Sequence, residues 1–241
     1  MTDAPHALIQ HTSDARGVHQ ICLNRPDAFN ALSRELMTAL QQSLDAVAQD
    51  PQARVVVLSA QGKAFCAGHD LREMRASPSL AYYQALFQQC SRMMMTLQRM
   101  PVPVIAQVHG IATAAGCQLV AMCDLAVASN TSKFAVSGIN LGLFCSTPSV
   151  ALSRNLGRKA AFEMLMTGDF ITAEQALDKG LVNAVVAPEQ LDAAVQRYVE
   201  SILAKPRTAV AIGKKLFYEQ LEQPLEAAYQ NAEHAMACNM M

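Results

Sequence analysis

Apolar positions along the chain follow two rhythms. Short β-branched runs at residues 19–23 and 54–60, the second reading Arg-Val-Val-Val-Leu-Ser-Ala, predict strands. Between them Leu32, Leu36, Leu40, Leu44 and Val47 recur at helical spacing and predict a helix over residues 31–49, capped by Asn30 or Ser33. A second helical stretch over 80–100 stops at Pro101-Val-Pro103, and 104–108 then forms a strand that runs into Gly110. Residues 125–129 and 134–136 read as short strands around an Asn130-Thr-Ser turn. Strands that alternate with helices argue for an α/β fold. From Thr147 onward the pattern is mainly helical, broken at Gly157, Gly168, residues 180–188, Pro206 and Pro224. The expected division is a core over 1–190 followed by a helical C-terminal region over 191–241.

Charge and composition narrow the partners. The 19 Lys+Arg and 20 Asp+Glu nearly cancel, which removes any general attraction to nucleic acid or to an anionic membrane. The longest apolar stretch, 101–128, is interrupted by Gln107, His109, Gln118 and Asp124, so it reads as buried interior rather than a membrane span. A small-molecule partner is expected instead. The seven cysteines, at 22, 66, 90, 117, 123, 145 and 238, lack zinc-site or disulfide spacing, and the opening Met-Thr-Asp-Ala-Pro-His lacks a basic, then apolar, leader pattern. Both point to a reducing cytoplasm. The histidines show no metal-ligand spacing, and no phosphate loop is present: Lys63 follows Gly62, but Val57 stands where the first loop glycine belongs. Neither a metal nor a tightly bound cofactor is expected.

Two glycine-containing turns carry the candidate chemistry. Lys63-Ala-Phe-Cys-Ala-Gly-His-Asp-Leu71 follows the first valine-rich strand, and His109-Gly-Ile-Ala-Thr-Ala-Ala-Gly-Cys-Gln-Leu119 follows the 104–108 strand and opens into a helix. A turn that enters a helix presents unpaired N–H groups and the positive end of the helix dipole, which suits a developing oxyanion. Either turn alone is ordinary strand-to-helix punctuation. As a pair they resemble the two signature segments of the crotonase (enoyl-CoA hydratase/isomerase) superfamily. The resemblance extends through Leu23-Asn-Arg-Pro-Asp-Ala-Phe-Asn-Ala-Leu32, Cys123-Asp-Leu-Ala, Asn140-Leu-Gly-Leu and Thr167-Gly-Asp-Phe-Ile-Thr-Ala-Glu-Gln-Ala, and so covers nearly the whole chain.

That resemblance implies a ββα spiral core, an acyl-CoA thioester as substrate or ligand, and a homotrimer or dimer of trimers. It assigns the oxyanion donors to the backbone N–H groups of His69 and Ala115, with Gly116 the alternative if the turn is one residue out of step. The side chain of His69 then has either a packing role or a catalytic one, and Asp70 is a turn or cap residue. CoA contacts carry over to Arg25, Asp27, Ala28 and Phe29 and to Ala67, His69, Asp70 and Leu71. Arg25 faces a phosphate or is a solvated surface arginine.

The chain also departs from the family pattern. Hydratases of the family carry two glutamates at the positions occupied here by Gln118 and Gly138. Glutamine does not work as a general base, and glycine has no side chain. Other polar groups near the expected pocket are Cys145, Ser146 and Thr147 in Gly142-Leu-Phe-Cys-Ser-Thr-Pro148. A cysteine in an apolar run more often packs than attacks. The leading expectation is an acyl-CoA lyase or isomerase that stabilises a thioester enolate with weak or absent hydratase activity. The alternatives are an acyl-CoA decarboxylase or hydrolase and a non-catalytic acyl-CoA-binding protein.

Overall fold

The computed structural model describes residues 7–76 and 78–240. The opening hexapeptide considered above and Met241 lie outside the described residues. Six strands form the larger sheet in the order β1 (Ile9–Ser13), β2 (Val18–Leu23), β3 (Val55–Ala60), β5 (Val104–Val108), β7 (Leu125–Ser129) and β10 (Ala184–Val186). Four form the smaller: β4 (Ala64–Cys66), β6 (Ile111–Thr113), β8 (Lys133–Ala135) and β9 (Ile171–Thr172). The outer pairs β1–β2 and β8–β9 are antiparallel, and every other neighbouring pair is parallel.

Three times the chain leaves a strand of the large sheet, turns a corner and enters a strand of the small one, as β3 to β4, β5 to β6 and β7 to β8. Helices follow each pair: α2 (Leu71–Ala76) and α3 (Leu80–Arg99), then α4 (Ala115–Met122), then α5 (Ser146–Asn155) and α6 (Arg158–Thr167). The second corner needs glycine. Gly110 has φ +64°, and a methyl group there would lie 2.2 Å from the Lys63 carbonyl oxygen, so the second corner stacks directly on the first. Repetition of this unit is the expected ββα spiral. α1 (Arg34–Gln49) joins β2 to β3, and α7 (Ala173–Asp178) leads toward β10.

β3 is buried on both faces. Val56 and Leu58 face the main core, while Val55 and Val57 join Val18, Ile105 and Val127 against Leu191, Ala194, Val195 and Val199 of α8 (Leu191–Leu203). A parallel strand covered twice has no polar face, hence its unbroken apolar run. The same packing puts α8, which the sequence pattern grouped with residues 191–241, onto the sheet of the core. The helical C-terminal extension is α9 (Arg207–Leu221) and α10 (Leu225–Met240), neither of which has a buried residue. A polar clamp holds α9 to the core. Lys214 Nζ donates to the carbonyls of Leu97 and Val102 and to Asp124 Oδ2 at 2.7 Å, and Tyr218 Oη donates to Asp124 Oδ1 at 2.8 Å.

Boundaries differ from the sequence pattern where side chains serve loops rather than helices. α1 starts at Arg34, with Ser33 as its cap accepting from Leu36 N at 3.2 Å. Asn30, the other candidate cap, is fully buried at φ +53°. It accepts from Arg25 N and donates to the carbonyls of Gln61 and Ala64, which fixes the loop before α1 against the first corner.

Candidate active site

A cavity of about 790 Å³ opens beyond the carboxyl ends of β4, β6 and β8. Carboxyl ends of parallel strands are where α/β sheets leave room for ligands, because the chain must depart there into helices. Ala67, His69, Asp70 and Leu71 come from the turn after β4, Ala114 and Ala115 from the turn after β6, and Ser137, Gly138, Cys145 and Ser146 from the segment after β8. Arg25, Asp27, Ala28 and Phe29 form a fourth wall. That loop is laced to the first turn by Ala67 N donating to Phe29 O at 3.0 Å and Leu32 N to Gly68 O at 2.7 Å.

The first two turns meet at Gly68. A methyl group on Gly68 would lie 2.9 Å from Ala114 Cβ and 3.3 Å from the Ala115 nitrogen, and its φ of +90° also favours glycine. Across this contact Ala114 has φ +51° and ψ −120°, a strained conformation for a residue with a Cβ. The strain turns the chain so that α4 begins at Ala115 on the cavity wall. No side chain caps α4. Among the described residues, neither His69 N–H nor Ala115 N–H has a hydrogen-bond acceptor. Gly116, the alternative donor, does not line the cavity: a methyl group there would sit 2.1 Å from Cys66 O, so it packs behind the wall against β4.

Gln118 and Gly138, the two positions at which the resemblance implied glutamates, differ in their surroundings. Gln118, one turn into α4, is buried with Oε1 unpartnered. Gly138 does line the cavity, but a methyl group on it would meet Cys145 Sγ and Leu143 O, each at 2.7 Å. Cys145 thus fills the space into which a side chain at 138 would grow. Its thiol donates to Val136 O at 3.4 Å, and burial raises its pKa against the pull of the Gly138 backbone. A thiol so held is a packing group. Ser146 donates to Phe144 O at 3.3 Å.

Two of the charged groups on the wall, Arg25 and Asp70, hold each other. Arg25 pairs with Asp70 Oδ2 at 2.7 Å and donates to Ala31 O at 3.0 Å, so it braces the loop rather than standing free in solvent. Asp70 Oδ1 accepts from Arg72 N and Glu73 N, the first turn of α2. Burial works to raise the Asp70 pKa, but the Arg25 bond and these backbone donors outweigh it and hold the carboxyl below its ordinary range.

His69 is different. Both ring nitrogens are closed to solvent and unpartnered, although the residue itself lines the cavity. Its ring meets Phe87 edge-on, with centroids 5.4 Å apart. Loss of hydration lowers the imidazole pKa to about 4, against the opposing pull of the Leu32 backbone. Sequence reasoning missed Met74, Tyr83, Phe87, Leu141 and Ser137 on the cavity wall. The i, i+4 pair Tyr83 and Phe87 on one face of α3 was the available signal.

Comparison with known proteins bears on this geometry. The family model described as enoyl-CoA hydratase/isomerase matches residues 13–240. The chain belongs to that family. A mouse relative, enoyl-CoA hydratase domain-containing protein 3, mitochondrial, is 46% identical over 95% of this chain and 76% of its own length. The crystal structure of an enoyl-CoA hydratase from Mycobacterium smegmatis superposes with a TM-score of 0.96 at 61% identity, covering 98% of this chain and 91% of that one. Human enoyl-CoA hydratase domain-containing protein 3 gives 0.93 at 43% identity, over 97% of this chain and 92% of that one. The crotonase fold and the family expectation therefore stand. The cytoplasmic expectation does not, since the curated vertebrate relatives are named as mitochondrial. Free thiols report a reducing environment and not which compartment supplies it.

The depressed His69 pKa sets a pH dependence. The unfolded chain binds a proton near pH 6.5 that the folded chain refuses until about pH 4, so stability falls as pH drops through that interval. Urea unfolding from pH 7.5 to 4 should show a smaller loss for His69→Phe than for the unaltered protein. Parallel curves for the two would contradict a neutral, desolvated imidazole.

Proposed function

We propose that the cavity binds an acyl-CoA thioester and that the backbone N–H groups of His69 and Ala115 polarise its carbonyl. One observation carries this reading: the approach of Gly68 to Ala114 and Ala115, which brings two unpaired N–H groups from separate turns to one wall of the cavity. Donors fixed by backbone need no reorganisation when charge develops on the thioester oxygen. Each such donor is typically worth roughly 10²–10³ in rate. Arg25, Asp27, Ala28 and Phe29 on one side and Ala67 to Leu71 on the other would flank the CoA chain.

The reaction supported best is enolate chemistry of the lyase or isomerase type, with little hydration. Adding water across a double bond needs groups that take and return a proton, and each contributes roughly 10²–10⁴. Gln118 carries an amide and no carboxyl, and the space at Gly138 is taken by Cys145 Sγ. The filled space at 138 also favours a second reading, a non-catalytic acyl-CoA-binding protein. Turnover across a panel of acyl-CoA thioesters separates the two.

Calorimetry should show saturable binding of acetoacetyl-CoA, lost at least tenfold in Gly68→Val while circular dichroism stays native. Crotonyl-CoA hydration should run at least 10²-fold slower than in a relative that carries both glutamates. Absence of binding to any acyl-CoA, or efficient hydration by the unaltered protein, would overturn the reading. Gly138→Glu alone should not restore hydration, because the new side chain must first displace Cys145.

Assembly as a homotrimer or dimer of trimers belongs to the same proposal. It is supported by the exposed apolar side chains of α9 and α10, among them Phe217, Leu221, Leu225 and Tyr229. Light scattering should return a multiple of three subunits, and a strictly monomeric mass at micromolar concentration contradicts it.

A further inference from the structure

His11 and His19 stand eight residues apart, which is no ligand spacing in sequence, yet the pairing of β1 with β2 brings them together. His11 lies opposite Ile21 and Ser13 opposite His19, so the two histidines are diagonal neighbours on one face of the sheet. Their ring centroids are 5.3 Å apart, and His11 Nε2 is 3.0 Å from His19 Nδ1. On its other side His19 Nε2 is 3.2 Å from Asp50 Oδ2, at the end of α1. We propose that His11 and His19 form a binding site for a divalent transition-metal ion, oriented by Asp50 and separate from the cavity.

The protons are arranged for it. A carboxylate only accepts, so the His19 proton that faces Asp50 is on Nε2, and Nδ1 presents a lone pair. A carboxylate behind an imidazole is the usual device that fixes the tautomer and orientation of a metal-ligating histidine. Asp50 is itself held, because its Oδ1 accepts from Gln52 N at 2.8 Å. His19 is buried, and so has little room to turn away. His11 Nε2 donates to the waiting lone pair. When solvent exchanges that proton to the outer nitrogen of His11, which stands on an exposed strand, two bare nitrogens face each other and a cation replaces the proton between them.

The separation selects the ion. With metal–nitrogen bonds of roughly 2.0–2.1 Å, nitrogens 3.0 Å apart subtend about 90° at the metal. That is a neighbouring pair in the square-planar or tetragonal geometry of Cu²⁺ and Ni²⁺, not the wider angle of tetrahedral Zn²⁺. Among the described residues no group of three or more His, Cys, Asp or Glu side chains is placed to hold a metal, so water completes the coordination. The ion would tie the edge strand β1 to β2, and through Asp50 to the end of α1. His19 stands at the amino end of β2, whereas the Arg25 to Phe29 wall of the cavity follows its carboxyl end, so the metal serves stability and not the thioester.

Ni²⁺ is the probe, since it fits the same geometry as Cu²⁺ and does not oxidise thiols. Titrate it by calorimetry into chelator-treated protein that carries no affinity tag, and follow thermal unfolding in parallel. The unaltered protein should bind Ni²⁺ saturably, and the ion should raise its unfolding midpoint. His11→Val, at an exposed strand position that tolerates the change, should weaken binding by about a hundredfold and abolish the rise, and Asp50→Asn should weaken it by about tenfold. The competing chelate is the exposed pair His234 and Cys238 on α10, 3.6 Å apart. His234→Ala should leave the affinity unchanged. No saturable binding, an affinity undiminished in His11→Val, or an equal or greater loss in His234→Ala overturns the inference.

Discussion

Two turns from different strands of the small sheet touch backbone to backbone at Gly68, and that contact tolerates no side chain. Much else is arranged to allow it. The corners at Gly62 and Gly110 fold β4 and β6 off the large sheet so that they lie parallel and in contact. Gly116 lets α4 start directly against Cys66 of β4. Ala114 accepts a strained backbone so that the helix begins at the cavity wall. A strain of this kind costs on the order of 1–3 kcal/mol and persists only where surrounding packing over-determines it. Here that packing is a buried core of aliphatic, methionine and phenylalanine side chains, with α8 closing the second face of the large sheet.

The paired turns, the laced loop at Arg25 to Phe29 and the cavity are backbone features, and they are intact. At Gln118 and Gly138 no carboxylate stands. Cys145 occupies the volume that a side chain at position 138 would need. In the same cavity, burial holds the His69 imidazole pKa down, and both ring nitrogens are unpartnered.

Sequence pattern alone recovered the elements that bury a periodic face. β3, α1, α3, β5 and β7 were legible because their apolar residues recur over five or more positions. β4, β6 and β10 were not, since three residues are too few for a period and the first two sit inside glycine-bearing motifs that read as turns. α8 looked like the start of a helical appendage because nothing in its amphipathic pattern says which surface it covers. The candidate site was legible at the level of motifs: His69, Ala115, Gly138, Cys145 and the Arg25 loop do converge on one cavity. What the sequence hid was direction. Gly116 stands in the right motif yet packs against Cys66 of β4, and Tyr83 and Phe87 reach the cavity wall from a helix that carried no motif.

The most direct test of the central claim looks at the two amides themselves. With backbone ¹⁵N labelling, the His69 and Ala115 N–H protons should both move downfield on saturation with butyryl-CoA, as two donors acquire one shared acceptor. The Gly116 amide, packed behind the wall, should move far less. Saturation by the thioester with both the His69 and Ala115 resonances unchanged would contradict the account.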